Sequence, residues 1–298
     1  MNLYFAGWGS QDADEYLRSK QAHRLLSWVN ERRVLEWWEN DNLADRLFID
    51  SGAFSVAHSG VNIKIDDYIQ FIRDHPKILN WAELDVIPYP VLNNATAKMC
   101  SEKSWENYVY MQSKLAGINI LPLYHFGESK LGLKRILESE VCGKHADYIG
   151  IGGRHGVSTD LQARYFNEIF SIIKHSSNPN VKVHAFGITV PKLLEQFPFY
   201  SADSTTWLQV AISGGILTED LQAIRISDGT TYDKTNIQSM PKDALDILLP
   251  TIEKYNYDFT ELCADYKVRL RYNIDVMLNW EKQYTYKGPK IFKSQKLF

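Results

Sequence analysis

Short, nearly unbroken apolar runs recur along this chain, and each is separated from the next by a stretch with apolar residues at helical spacing. This alternation constrains the fold more than any other feature. The runs fall at residues 3–6, 47–50, 81–85, 120–125, 148–152, 181–187, 200–203 and 223–227. Runs that are apolar throughout, rather than at every second position, belong to strands covered on both faces, as in a parallel sheet. The segments "ADEYLRSKQAHRLLSWVNERRVLEWWE", "IDDYIQFIRDH", "SEKSWENYVYMQSKLAG", "LGLKRILESE", "STDLQARYFNEIFSIIKHS" and "PKLLEQFP" read as the intervening helices. Ser158 or Thr159 starts the fifth of these, and Thr189-Val190-Pro191 leads into the last. About eight strand–helix alternations predict an α/β fold, a (β/α)8 TIM barrel. A doubly wound open sheet is the second architecture that the pattern allows. The barrel is preferred because polar groups end many different strands, as a central mouth requires.

After Gly229 the alternation stops. "MPKDALDILLPTIEKYN" and "DFTELCADYKVRLRYNIDVMLNWEKQY" read as extra C-terminal helices, followed by a lysine-rich tail whose plainest role is a solvated end. The 298 residues therefore divide into a barrel over 1–229 and a helical extension over 230–298 within one domain. No GxGxxG follows a first strand, so a dinucleotide site is not supported. Net charge is −3 and the pI is near 6.3. There is thus no general basic surplus of the kind many nucleic-acid binders carry, although a local basic groove is compatible with such a balance. Cys100, Cys142 and Cys263 are far apart and form no CxxC, which argues against a disulfide framework and a cysteine-built zinc site. No apolar run reaches membrane-spanning length, and "MNLYFAGWGS" lacks the features of a signal peptide. A reducing, cytoplasmic setting without membrane contact is the expectation.

In a parallel barrel the working face lies at the C-terminal ends of the strands. The residues there are Asp50 in "FIDSGAFS", Asp85 in "ELDVIPYP", His125 in "PLYHFGES", the glycines of "YIGIGGRH", Phe186 and Gly187 in "HAFGIT", and Asp203 in "FYSADSTTW". Each has a plainer role when taken singly. Asp50 fits a cap on the helix that follows, Asp203 fits a partner for the backbone donors of "STTW", and Phe54 and Phe186 fit barrel core. His125 fits base reading, proton transfer or a structural hydrogen bond. Taken together they make a chemical set. Two aromatics can sandwich a flat heterocycle, a carboxylate can accept from ring N–H and amino donors, and paired carboxylates can divide nucleophile and acid/base work at a glycosidic carbon. Lys98, Lys103, Lys130, Lys134, Arg135 and Arg154 follow strand ends and fit phosphate contacts or a solvated helix face equally well.

The ordered set "DSGAF", "LDVIP", "YHFGE", "IGIGG", "HAFGIT" and "SADSTTW" resembles the queuine tRNA-ribosyltransferase (tRNA-guanine transglycosylase) superfamily over residues 47–229. The resemblance implies a TIM barrel that exchanges guanine for a 7-deazaguanine through a covalent sugar–enzyme intermediate. It makes Asp203 the nucleophile and Asp50 the general acid/base. Phe54 and Phe186 become the base sandwich, Asp85 the reader of the guanine edge, and Gly150 a backbone contact to the base, with Gly187 beside it. His125 stands where a glutamine is usual. The tRNA enzymes carry a zinc site of clustered cysteines and a histidine near the C-terminus, whereas this sequence has only Cys263 there, so no metal and no cofactor are expected. "STTW" also replaces the Pro-Thr-Arg that follows the nucleophile. The shorter, zinc-less pattern is more similar to the DNA-guanine transglycosylases of phages and bacteria. The implied partners are double-stranded DNA with a flipped guanine, ahead of tRNA, and a free 7-deazaguanine base such as preQ0. The implied setting is the cytoplasm, that of the host for a phage protein. A tRNA-modifying enzyme and a non-catalytic, nucleic-acid-binding partner subunit are the alternatives, and the oligomeric state is open.

Overall fold

A computed structural model of the protein describes residues 1–53, 63–87, 93–153, 156–188, 190–227 and 244–287. Its centre is a nearly closed, barrel-like parallel sheet. The strands are β1 (Asn2–Phe5), β2 (His23–Ser27), β3 (Leu47–Asp50), β4 (Asn80–Ala82), β5 (Ile120–Leu121), β6 (Leu123–Tyr124), β7 (Tyr148–Gly152), β8 (Lys182–Phe186) and β9 (Ser201–Ser204). Their order in the sheet is β5-β4-β3-β2-β1-β9-β8-β7-β6. The two ends of that order are halves of one strand interrupted at Pro122, so eight staves make up the wall. Proline cannot donate to a ladder, and the break is bridged by a side chain. Glu83, buried just past β4, accepts the Leu123 N–H at 2.6 Å, while Gly150 N–H donates to Pro122 O at 3.0 Å.

The helices on the outside are α1 (Gln11–Ser19), α2 (Trp28–Asn40), α3 (Ile65–Asp74), α4 (Asn94–Lys114), α5 (Lys130–Glu138), α6 (Thr159–Lys174), α7 (Pro191–Gln196) and α8 (Thr206–Ile212). Strand residues alternate between two apolar clusters. Leu3, Phe5, Leu47, Ile49, Ile149, Ile151, Val183 and Ala185 face the helices. Tyr4, Ala6, Leu25, Phe48, Ala82, Leu121, Leu123 and Tyr148 fill the barrel, with Phe186 packed against them. The interior is thus a packed core up to the level of Phe186, and only the C-terminal mouth is left for chemistry.

Two sequence expectations are corrected. The first is the single helix drawn through "ADEYLRSKQAHRLLSWVNERRVLEWWE", which is helix, strand, helix. α1 ends at Ser19 with Lys20 as its C-cap, Gln21 takes a positive φ of 52°, and His23–Ser27 enters the sheet as β2. A glycine at residue 21 would have signalled the stop; a glutamine does not. The second is the run at 223–227, which is no barrel stave. Ala223–Arg225 (β11) pairs antiparallel with Gly215–Leu217 (β10) in a separate hairpin. Beyond it lie α9 (Ala244–Lys254), α10 (Phe259–Ala264) and α11 (Tyr266–Gln283), the last two split at Asp265, which caps α11 by accepting the Lys267 N–H. α11 packs along α8 and under β1, where Glu281 accepts the Leu3 N–H at 2.7 Å. Among the described residues no helix is long and apolar enough to cross a membrane.

Candidate functional site

Strand β3 delivers Asp50 to the mouth and then turns sharply. Gly52 has φ +82°, and a Cβ on it would lie 2.7 Å from the Val29 side chain and 2.8 Å from Ser27 Oγ. Only glycine meets both demands. Asp50 Oδ2 accepts the Gly52 N–H at 3.0 Å, so this carboxyl does shape its own turn. Burial, reinforced by the neighbouring charges of Asp85 and Asp203, pushes its pKa up to about 7, against the opposing Gly52 N–H and His125. A carboxyl poised there can give and take a proton near neutral pH.

Asp85 lies three residues beyond the end of β4, on a segment pinned to α4. Asn107 Nδ2 donates to Leu84 O at 2.7 Å and Val86 N–H to Ser104 Oγ at 2.8 Å. The Asp85 carboxylate is buried; Ser51 Oγ donates to its Oδ1 at 2.9 Å, and His125 Nε2 stands 2.9 Å from its Oδ2. The latter contact lacks the alignment of a conventional hydrogen bond and is an ion pair when the ring is protonated. Burial opposes charge on the His125 ring, but Asp85, with Glu128 and Asp50 behind it, outweighs that and raises its pKa. Gly152 makes room for the imidazole, since a Cβ there would lie 2.8 Å from His125 Nδ1.

Asp203 ends the inward row of β9 and is 7% exposed, at the edge of the mouth. It does not serve the backbone donors of "STTW". Ser204 Oγ takes the Thr206 N–H at 2.9 Å, and Trp207 is core, donating Nε1–H to Ala6 O at 2.9 Å. Asp203 Oδ1 instead accepts the Gly187 N–H at 2.9 Å and faces His184 Nε2 at 3.2 Å. Gly187 therefore acts through its backbone, in a positive-φ turn (67°) directly after β8.

The mouth thus gathers Asp50, Asp85, His125, Phe186, Gly187 and Asp203, three carboxyls to one imidazole. Phe186 is half-buried, its ring edge-on to Phe48 at 5.5 Å. Gly150 lies beneath that ring; a Cβ on it would meet Phe186 Cε2 at 2.4 Å and Leu123 Cδ2 at 2.3 Å, so it seats the aromatic. Phe54 and Arg154 lie outside the described residues. Of the basic residues near the strand ends, Lys103 pairs with Glu106 and Arg135 with Glu102 at 2.6 Å, and Lys130 pairs with Glu168. These three form intramolecular surface pairs, an arrangement that a solvated helix face and a phosphate contact both allow. The residues that sequence reasoning passed over are Ser51, which orients Asp85, and His184. A buried-type position occupied by a histidine, between the apolar Val183 and Ala185 and two residues before the inward Phe186, was the available signal for the latter.

The sequence matches no known family model, and no curated protein matches it.

Proposed function

We propose that this protein is a transglycosylase that exchanges guanine in a nucleic acid, DNA ahead of tRNA, for a 7-deazaguanine base. The observation that supports this best is the convergence of three strand-end carboxyls with a histidine at one barrel mouth, with Asp50 poised to titrate near pH 7. The preference for DNA rests on the motif resemblance and on the single cysteine, Cys263, in the C-terminal region.

In this reading the target nucleotide is swung out of the stack, because C1′ is unreachable inside a duplex. The base lies against Phe186, and Asp85, held by Ser51 and His125, accepts from its N–H edge. An Asp203 carboxylate oxygen forms a bond to C1′ as the C1′–N9 bond breaks through an oxocarbenium-like transition state. The bonding pair leaves with guanine, and protonated Asp50 supplies the proton that neutralises it. Asp50, now a carboxylate, takes the corresponding ring N–H proton from the incoming 7-deazaguanine. That nitrogen attacks C1′ and displaces Asp203, restoring both aspartates and the sugar configuration.

The test is nucleoside mass spectrometry on DNA and tRNA from cells that express the protein beside a supply of 7-deazaguanine. Modified nucleoside in DNA with wild type and none with Asp203→Asn is the expected result. Modification in tRNA alone would move the substrate. A covalent nucleic-acid adduct formed in undiminished yield by Asp203→Asn would remove the nucleophile assignment.

A further inference from the structure

A chain of buried polar side chains runs down the barrel axis from Asp203, and nothing in the exchange chemistry above employs it. His184 Nε2 faces Asp203 Oδ1 at 3.2 Å; its Nδ1 lies 2.5 Å from Ser201 Oγ, which in turn is hydrogen-bonded to Tyr148 OH. His184 and Ser201 are both 0% exposed, so water is no partner for either. The imidazole is wedged edge-on between aromatic rings, 4.6 Å from Phe48 and 4.3 Å from Phe186 by ring centres.

The donors and acceptors along this chain fit in one direction. A carboxylate oxygen can only accept, so Nε2 must carry the proton that faces Asp203. Burial lowers the His184 pKa, with Asp203 only partly opposing, which leaves the ring neutral and Nδ1 a bare acceptor. Ser201 must then donate to Nδ1, and its oxygen accepts from Tyr148, whose phenol is held in its neutral form by burial. Each member fixes the next, and the last donor, His184, is aimed at the carboxylate together with the Gly187 N–H. Both donors meet Oδ1.

We propose that His184 is the positioning residue for Asp203. Locked in its Nε2–H tautomer by Ser201 and Tyr148, it clamps Oδ1 and leaves Oδ2 as the oxygen that attacks. The assignment of attack rests on the transglycosylase reading; the tautomer and the clamp do not. Fixing one oxygen of a nucleophilic carboxylate removes rotation about its last torsion, and misplacement of a reacting atom by about 1 Å lowers a rate on the order of 10²-fold.

The experiment has two arms. In the first, the eight histidines are labelled with ¹⁵N, and the His184 side-chain signals are assigned by their loss in His184→Phe or, should that variant fail to fold, by their shift in Ser201→Ala. A protonated Nε2 and a bare Nδ1 at neutral pH is the expected signature. The opposite tautomer, or a charged ring, overturns the clamp whatever reaction the protein performs. In the second arm, single-turnover adduct formation is measured with a guanine-containing duplex. His184→Phe keeps the ring packing but not the donor, and should lose on the order of 10²-fold in rate with little change in duplex affinity. His184→Gln, which restores an N–H, should recover part of that loss, and Ser201→Ala should lose roughly 2- to 10-fold. An unchanged rate in a folded His184→Phe would overturn the positioning role. Absence of an adduct with wild type, beside the expected tautomer, would fault the transglycosylase reading and leave the clamp standing.

Discussion

Ser51 donates its hydroxyl to Asp85 Oδ1 at 2.9 Å, which ties the end of β3 to the segment after β4. The residue next to Asp50 thereby fixes the carboxylate that faces His125. Ser51 is fully buried, so its removal would leave one Asp85 oxygen without this donor and without water to replace it. The cost of such a loss is about 1–3 kcal/mol. Ser51→Ala is expected to weaken binding of guanine or a 7-deazaguanine by roughly 5- to 100-fold, with a smaller effect on the rate at saturation. Calorimetric titration of the free base into wild type and variant checks this, and equal affinities would show that Asp85 needs no such support.

Asp50 gives a pH-dependent prediction with a definite sign. Its carboxyl has a pKa of about 7 in the folded protein against an ordinary value of 3.8, chiefly through burial and then through Asp85. Between those values the native state binds a proton that the unfolded chain has released. The stability that this contributes is full below about 3.8 and is lost as pH rises through about 7. Asp50→Asn carries no charge to bury, so at pH 8 it is expected to be more stable than wild type by about 1–3 kcal/mol, the gap narrowing as the pH approaches 4. Urea unfolding across that range reads the difference directly. Base exchange by the same variant should fall sharply, and a variant both stable and fully active would remove Asp50 from the proton transfers.

Phe186 and Gly150 are matched in shape. A methyl group on Gly150 would overlap Phe186 Cε2 and Leu123 Cδ2, so Gly150→Ala must push the ring out of its seat or strain the wall. Overpacking of this kind costs about 1–3 kcal/mol. Placing Phe186→Leu in the same chain should return part of that stability, because the clash partner has gone, while base affinity stays low for want of a stacking face. Phe186→Leu alone is expected to weaken base binding by about 1–3 kcal/mol. A double-mutant cycle read by thermal melting and by base titration separates the two effects, and additive stabilities would show that the residues do not meet.

How much of this was legible in the sequence follows from where each signal resides. Strand ends were readable because each apolar run stops at a polar or glycine residue, and that gave Asp50, His125 and Asp203 without any structure. Phe48 and Tyr148 were hidden, because an inward aromatic in a buried strand reads like an outward one. β2 was missed because "HRLLSWV" satisfies helical spacing and its charged residue, Arg24, is paired with groups on three other elements, which spacing within the segment does not show. The run at 223–227, which holds β11, was mistaken for a stave because so short a run carries no record of its pairing direction. His184 was passed over for a related reason. Its partners, Ser201 and Asp203, belong to the neighbouring strand, and register between strands is a property of the folded sheet alone.

Arg24 supplies the last prediction, since it is the residue that makes β2 hard to read. It is 1% exposed inside a strand, with Asp14 of α1 at 2% and Glu31 of α2 at 7% around it. Its guanidinium approaches Asp14 Oδ1 and Glu31 Oε1, each at 3.4 Å, and donates to Phe5 O at 2.5 Å and Gly7 O at 2.9 Å. Asp14 is held in turn by Trp38 Nε1–H at 3.2 Å, and Glu31 Oε2 accepts the Ser27 N–H at 2.9 Å. One side chain thus joins the ends of β1 and β2 to both flanking helices. Removing it leaves two buried carboxylates and three carbonyls, those of Phe5, Gly7 and Leu25, without their shared donor, and breaking a buried pair in this way costs about 3–5 kcal/mol. Arg24→Met should therefore lower the urea midpoint strongly with little change in the slope. Arg24→Lys should recover less than half of the loss, because a single ammonium cannot span carbonyls and carboxylates that a planar fork reaches together. A loss below about 1 kcal/mol in Arg24→Met, the scale of a solvated surface pair, would mean that water enters the network and that β2 is held by its apolar residues alone.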